Sequence, residues 1–289
     1  METALEHLIH MSHEVGHHIG YIQGGGGNTS VKYSSEYMAI KSSGSLLKDV
    51  SAQAGHTKIH YAMIRKAIID GLLIDQSANQ FNRFLYTTML DETSPVPSIE
   101  AGLHAILPYT YVLHTHSVYA NILTCSQEGQ TIFKNLFPEA LWVPYATPGK
   151  DITLLVANQI KSGCPNVIFM QNHGLLVGGD TVAHTLDLHE QINDKIRQYF
   201  KLSQLDAANM TTEVVIKNHQ SVLFPDQVVY LESRDLRETQ AGLETYIAYA
   251  YILDSIKTLN LTPHFMSPKN IAHIQNLDSE KHRQKVVKL

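Results

Sequence analysis

Two histidines separated by one residue are the side chains in this sequence best placed to bind a metal ion. His114 and His116 follow residues 111–113, whose aromatic and aliphatic side chains predict a short buried strand. Side chains two positions apart on a strand point to the same face, so the two imidazoles would lie side by side. Such a pair suits a zinc-like cation, which needs a third ligand and an open position to be catalytic. The alternative interpretation is a pair of ordinary polar residues at a strand end.

A third histidine follows a second predicted strand. Residues 166–171 are mostly apolar and lead directly into Asn172, His173 and Gly174. His173 therefore occupies the same kind of position as His116, at the point where a strand gives way to a turn. We expect His173 to be the third ligand.

A carboxylate at a predicted helix start is the candidate acid or base. Residues 98–107 are typical of a helix capped by Ser98 after a proline, and Glu100 falls in its first turn. The helix dipole stabilises a carboxylate there, which gives Glu100 a purely structural explanation. Within reach of a substrate at the three histidines, Glu100 would instead serve as general base or acid.

Two loops of small residues are candidates for binding an anion. Four glycines at 24–27 precede Asn28, and a second loop at 42–45 contains Ser43 and Gly44. Backbone amides in such loops can approach an anion closely. The first loop follows a predicted helix and lacks Gly-Lys-Ser/Thr, so it is neither a dinucleotide-binding fingerprint nor a nucleoside-triphosphate loop. A flexible turn is the alternative interpretation.

The elements that must position these residues follow from periodicity and turn signals. Helices are predicted at 2–19, 56–75, 98–107, 150–161 and 180–203. A hairpin is predicted from strands 29–33 and 37–41, with loop and strand at 76–97. Beyond residue 210, a smaller α/β segment is predicted from extended residues 212–217 and 228–230 and helices 240–258 and 278–284. We therefore expect two units, residues 1–209 and residues 210–289.

The bulk composition argues against several classes of function. The 289-residue chain has a formal net charge of −5 and no basic block, which argues against a nucleic-acid partner. No apolar run reaches the length of a membrane span, and the first residues lack the basic start and apolar core of a signal peptide. Cys125 and Cys164 form no disulfide framework. We therefore expect a cytoplasmic protein with reduced thiols and a small-molecule substrate.

Six motifs together carry a family resemblance. They are Gly-Gly-Asn-Thr-Ser-Val-Lys at 26–32, Ser43-Gly44, Pro97-Ser98-Ile99-Glu100, His114-Thr115-His116-Ser117, the segment 143–149 and Asn172-His173-Gly174. In order and spacing they resemble the class II aldolase/adducin family, which includes fuculose-phosphate and rhamnulose-phosphate aldolases, over roughly residues 5–205. The resemblance implies a three-layer α/β/α sandwich with a central, mainly antiparallel sheet, and a cyclic homotetramer. The C-terminal α/β segment would be an extension packed on that sandwich.

The same resemblance implies roles for individual residues. It assigns Zn²⁺ or another divalent metal to His114, His116 and His173, acid–base catalysis to Glu100, and phosphate contacts to Asn28, Ser43, Gly44 and Ser98. The implied activity is that of a zinc-dependent aldolase, which cleaves or forms a carbon–carbon bond in a ketose or its phosphate through a zinc-bound enediolate. The alternatives are a sugar-phosphate 4-epimerase or dehydratase of the same family, and an adducin-like binding module without catalysis.

Three departures from the family pattern concern the substrate pocket. Lys41 and Ser42 stand where the aldolases tend to have Thr-Pro, and Ile99 replaces a serine of the anion pocket. Residues 126–141 contain no tyrosine to match the aldolase proton donor. The chain therefore differs from the aldolases both at the anion pocket and at the proton donor.

Overall fold

Seven β-strands form one sheet within residues 2–205 and 221–287, which a computed structural model describes. In chain order they are β1 (Asn28–Lys32), β2 (Met38–Lys41), β3 (His56–Ile59), β4 (Tyr111–Thr115), β5 (Leu141–Val143), β6 (Val167–Met170) and β7 (Gly174–Gly179). Their order across the sheet is β3-β2-β1-β4-β7-β6-β5. Every neighbouring pair of these strands is antiparallel except β5 and β6. The prediction of a mainly antiparallel sheet is confirmed.

Helices cover both faces of this sheet. Those of the first 200 residues are α1 (Glu2–Gly16), α2 (Tyr61–Ile69), α3 (Ala78–Thr87), α4 (Ala101–Ile106), α5 (Val118–Thr124), α6 (Gly129–Leu136), α7 (Lys150–Gln159) and α8 (Val182–Phe200). Leu113 and Phe169 belong to a core with α5, α6 and α8, whereas their chain neighbours Val112 and Ile168 belong to a core with α2, α3, α4 and α7. Alternate residues of a strand point to opposite faces, so both cores share one sheet. The α/β/α sandwich is confirmed.

Two local predictions are wrong. Residues 56–75 are not one helix, because His56–Ile59 is strand β3 and the helix α2 begins only at Tyr61. Residues 76–97 contain the helix α3 instead of only loop and strand. The signal for α3 is a capping box, in which the Ser77 side chain accepts from the Gln80 backbone and the Gln80 side chain accepts from the Ser77 backbone.

The C-terminal region differs from the predicted α/β extension. The regular elements of residues 221–287 are all helices. They are α9 (Pro225–Tyr230), α10 (Arg234–Arg237), α11 (Gln240–Thr258), α12 (Pro268–Gln275) and α13 (Asp278–Val287). Residues 228–230, predicted to be extended, form the end of α9. Pro225 starts that helix, and the Gln227 side chain accepts from the backbone of Leu223, so the cap outweighs the β propensity of the two valines. The helices at 240–258 and 278–284 are confirmed, and residues 212–217 lie outside the described residues.

Helix α11 attaches the C-terminal region to the sandwich. Its buried residues Ala248, Ile252 and Ile256 belong to the same core as Val118 and Leu123 of α5. The apolar residues of α11 are therefore explained by their packing against α5. In the described part of the chain, no helix has both the length and the hydrophobicity required to cross a membrane.

Candidate metal centre

The sheet brings three histidines together. Strand β4 pairs with β7, so His114 lies opposite Leu176 and the end of β4 lies beside the turn that carries His173. The ring centroids of His114, His116 and His173 are 4.9–5.3 Å apart, and all three side chains are buried. Each offers a ligand nitrogen within 4.8 Å of the others. The predicted histidines therefore do converge.

The turn before His173 depends on its neighbour. Asn172 has a left-handed backbone with φ of 52°, a conformation that asparagine tolerates better than most residues. Its side-chain amide donates to the backbone oxygens of Leu223 (2.8 Å) and His264 (2.6 Å). Residues of the C-terminal region thus hold the turn that presents His173.

Hydrogen bonds orient two of the three rings. Nδ1 of His114 lies 3.0 Å from the Leu175 carbonyl oxygen, and Nδ1 of His116 lies 2.5 Å from Oδ2 of Asp226. Because both partners only accept, Nδ1 holds the proton in the neutral form of each ring, and that form leaves a lone pair on each Nε2. The two Nε2 atoms lie 3.2 Å apart. Their lone pairs converge on one place, which fits ligation of a cation better than a hydrogen bond between the rings.

Glu100 contributes a carboxylate to the same place. Glu100 immediately precedes α4. Its Oε2 lies 3.5 Å from Nε2 of His114, and its Oε1 lies 3.4 Å from Nε2 of His173. Oε1 is buried and has no hydrogen-bond partner among the described residues. Burial alone would raise the pKa of this carboxyl, but His114, His173 and a hydrogen bond from Asn28 together lower it to about 2. An ionised carboxylate beside three imidazoles is a set of donors that could hold a divalent cation.

A buried hydrogen-bond chain fixes the orientation of Glu100. The amide nitrogen of Asn28 donates to Oε2 of Glu100 (2.7 Å) and to Oγ of Ser98 (3.2 Å). Nε2 of His104 donates to the amide oxygen of Asn28, while Nδ1 of His104 accepts from Ser30 (2.7 Å). Burial is the main cause that lowers the pKa of His104 to about 3, so its ring is neutral. His104 was not among the predicted site residues, although its position four residues after Glu100 would put both on one face of the predicted helix 98–107.

The predicted anion-binding residues surround one pocket. It is lined by Gly25, Gly26, Gly27, Asn28, Lys41, Ser43, Gly44, Ser98, Ile99, Glu100, His116, Pro148, His173, Pro225, Asp226 and Arg283. All the predicted site residues are in this set except His114, which is fully buried behind it. The Lys41 ammonium donates to the Gly25 carbonyl oxygen (2.9 Å), and burial, followed by the charge of Arg283, lowers the pKa of Lys41 to about 7. The pocket therefore combines a metal-ligand cluster with an amide-rich, cationic wall.

Three of the lining residues, Pro225, Asp226 and Arg283, come from the C-terminal region and were not predicted. Asp226 is fully buried at the start of α9 and accepts from His116 on one oxygen and from Arg283 (2.8 Å) on the other. Burial would raise the pKa of Asp226, but His116 and Arg283 hold it well below its usual range. The sequence around residue 226 carries no motif, so pairing with His116 is visible only in the fold.

The chain belongs to the family described as Class II Aldolase and Adducin N-terminal domain, whose sequence model matches residues 6–200. A relative described as uncharacterized oxidoreductase YuxG, from Bacillus subtilis (strain 168), is 29% identical over 217 residues, which are 69% of this chain and 31% of that protein. The chain thus spans about a third of the length of this curated relative.

Solved structures share the fold. The N-terminal class II aldolase domain of a conserved protein from Thermoplasma acidophilum is similar with a TM-score of 0.62 and 27% identity, over 69% of this chain and 94% of that one. A structure described as L-fuculose 1-phosphate aldolase has a TM-score of 0.50 and 15% identity, over 72% of this chain and 92% of that one. At that identity the second likeness concerns the fold alone.

Proposed function

We propose that this protein is a metal-dependent class II aldolase that cleaves or forms a carbon–carbon bond in a ketose or ketose phosphate, with Zn²⁺ as the metal. One observation carries the proposal. His114, His116 and His173 converge with the ionised Glu100 carboxylate at the base of a polar pocket. Membership of the class II aldolase and adducin family supports the reaction class.

In the proposed mechanism, the metal stabilises negative charge and Glu100 transfers protons. A divalent cation held by the three histidines would supply a Lewis acid that stabilises negative charge on substrate oxygens. Glu100 is ionised and lies against that position, so it is the group that would accept the hydroxyl proton when the bond breaks. After departure of the aldehyde, the carboxyl would return a proton to the remaining fragment. Asn28 holds Glu100 in place for both steps.

The same pocket would also bind an anionic group of the substrate. Ser43, Gly44 and Ser98 line it as predicted phosphate contacts, and Lys41 adds a buried cation. Ile99 also lines the pocket, where the aldolases have a serine, and it supplies no hydroxyl. The charge of Lys41 would offset the loss of that hydrogen bond to the anion. Asn28 stays a predicted phosphate contact, to which its hydrogen bond with Glu100 adds a positioning role.

Product analysis tests the proposed reaction. Purified protein is stripped of metal, reloaded with Zn²⁺, and incubated with a panel of ketoses and ketose 1-phosphates while products are followed by NMR. We expect zinc-dependent release of an aldehyde and a three-carbon ketone fragment, lost in Glu100→Gln. An isomerised or dehydrated product would assign the chain to the epimerases or dehydratases of the family. Zinc binding without turnover of any substrate would favour a non-catalytic module.

A further inference from the structure

The C-terminal helices reach the metal centre through the glycine loop. A side chain at Gly26 would place its Cβ 2.7 Å from Oδ2 of Asp226 and 2.7 Å from Nδ1 of His116. A Cβ at Gly24 would lie 2.7 Å from Cβ of Ala241, on α11. All three distances are shorter than real Cβ contacts allow, so these two positions require glycine if the helices are to approach. The loop is therefore shaped to receive the C-terminal region as well as to offer its amides.

A chain of buried charged groups runs from α13 to His116. The Arg283 guanidinium donates to Glu280 (2.9 Å), to Asp226 (2.8 Å) and to the Tyr230 hydroxyl (3.1 Å). Asp226 in turn accepts from Nδ1 of His116. Asp226 and Glu280 are almost fully buried, and the side chain of Arg283 is 13% exposed. Buried charges of this kind persist when each has a partner, which is what the chain provides.

The C-terminal region also holds the turn that carries His173, a second candidate ligand. Asn172 donates to the backbone of Leu223 and His264, and it directly precedes His173. Two of the three candidate ligands, His116 and His173, therefore depend for their orientation on residues after 220. The family match ends at residue 200, so these contacts lie outside the part of the chain that defines the family.

We propose that the C-terminal helices are a built-in part of the metal centre, with Asp226 as the positioning residue for His116 and Arg283 as the positioning residue for Asp226. A carboxylate that accepts from the distal nitrogen of a ligand histidine fixes its tautomer and ring orientation and makes the ligating nitrogen more basic. Removal of such a partner typically weakens metal binding by about 10- to 100-fold. This inference rests on the proposed metal site, and its test measures metal affinity without reference to catalysis.

Zinc competition with a chromophoric chelator measures the predicted effect. Asp226→Asn keeps the shape of the side chain but loses the charge, and we expect its zinc dissociation constant to rise by about 10- to 100-fold. Asp254→Asn removes a carboxylate from an exposed position on α11 and should leave zinc affinity unchanged. Arg283→Gln should weaken zinc binding several-fold. Lys281→Gln removes the same charge from the solvent side of α13 and should leave zinc binding unchanged.

Two further readouts separate positioning from simple attachment of the helices. In Co²⁺-loaded protein, Asp226→Asn should shift the d–d absorption bands, because the basicity and orientation of one ligand change. If Asp226→Asn and Arg283→Gln lower the melting temperature of the metal-free protein but leave zinc affinity and the cobalt spectrum as in wild type, the inference is overturned. Should Asp226→Asn fail to fold, the folded Arg283→Gln and Lys281→Gln pair decides by the same comparison. Wild-type protein that binds neither metal would contradict the proposed function itself.

Discussion

Oε1 of Glu100 lies 3.4 Å from Nε2 of His173 in the interior of the protein. Glu100 stands at the start of a helix on one face of the sheet, and His173 stands in the turn between two strands. Their proximity gives the carboxylate its proposed role, because any ligand of that imidazole nitrogen must also meet the carboxylate.

Glu100→Gln tests the acid–base role. The amide keeps the shape of the side chain but cannot accept a proton, so we expect turnover to fall by about 10²- to 10⁴-fold. Metal content, measured by mass spectrometry of the purified protein, should stay near that of wild type because the three histidines remain. The matched control is Glu232→Gln, which changes an exposed carboxylate that accepts a hydrogen bond from Gln275. Undiminished turnover in Glu100→Gln would remove Glu100 from the mechanism.

His104→Leu tests the chain that orients Glu100. The substitution removes the hydrogen bonds that the His104 ring makes to the buried Asn28 amide oxygen and the Ser30 hydroxyl, which should lower the free energy of unfolding by about 1–3 kcal/mol in urea denaturation. We also expect a lower kcat with little change in KM, since Asn28 loses its fixed orientation. His282→Leu changes an exposed histidine and serves as control. A loss of stability with an unchanged kcat would confine His104 to a packing role.

The pH dependence of sulfate binding tests Lys41. Its pKa is lowered to about 7, so the folded protein carries this charge below about pH 7 and loses it above. Sulfate keeps its charge over this range, and its dissociation constant should therefore rise with pH, by up to about tenfold per unit above pH 7. Lys41→Met should bind sulfate weakly with a much flatter profile. The same rise with pH in both proteins would show that another group governs the anion site.

Metal removal tests the contribution of the site to stability. A cation that binds only the folded state adds about 4 kcal/mol when its free concentration is a thousand times its dissociation constant. Chelator treatment should therefore lower the melting temperature, and Zn²⁺ should restore it. Mg²⁺ should not, because it prefers oxygen ligands to three imidazoles. Equal melting temperatures with and without Zn²⁺ would argue against a zinc site.

Local patterns in the sequence were sufficient for the candidate ligands. His114, His116 and Glu100 each sit at the boundary of an element, and such boundaries are visible in apolar runs and cap residues. Helix α3 and strand β3 were missed because a capping box and a four-residue strand are weak signals beside a long apolar periodicity. The prediction of a mainly antiparallel sheet came from the family resemblance, since periodicity does not reveal strand order, and the strand pairing confirms it.

Long-range partners could not be predicted. Asp226 meets His116 only because α9 folds back over the glycine loop, and no spacing rule links residues so far apart in the chain. The helical form of residues 228–230 was equally hidden, because two valines and a tyrosine favour a strand unless the cap from Gln227 is known. The pKa values of Lys41 and His104 likewise depend on burial, which follows from packing and not from neighbours in sequence.

Anomalous diffraction at the zinc edge, from crystals of the zinc-loaded protein, tests the central claim most directly. We expect one strong peak at about 2.0–2.1 Å from a nitrogen of His114, of His116 and of His173. The Glu100 carboxylate should lie next to that peak. A zinc peak elsewhere on the protein, with the His173 ring turned away from the other two, would contradict the metal centre and the aldolase mechanism built on it.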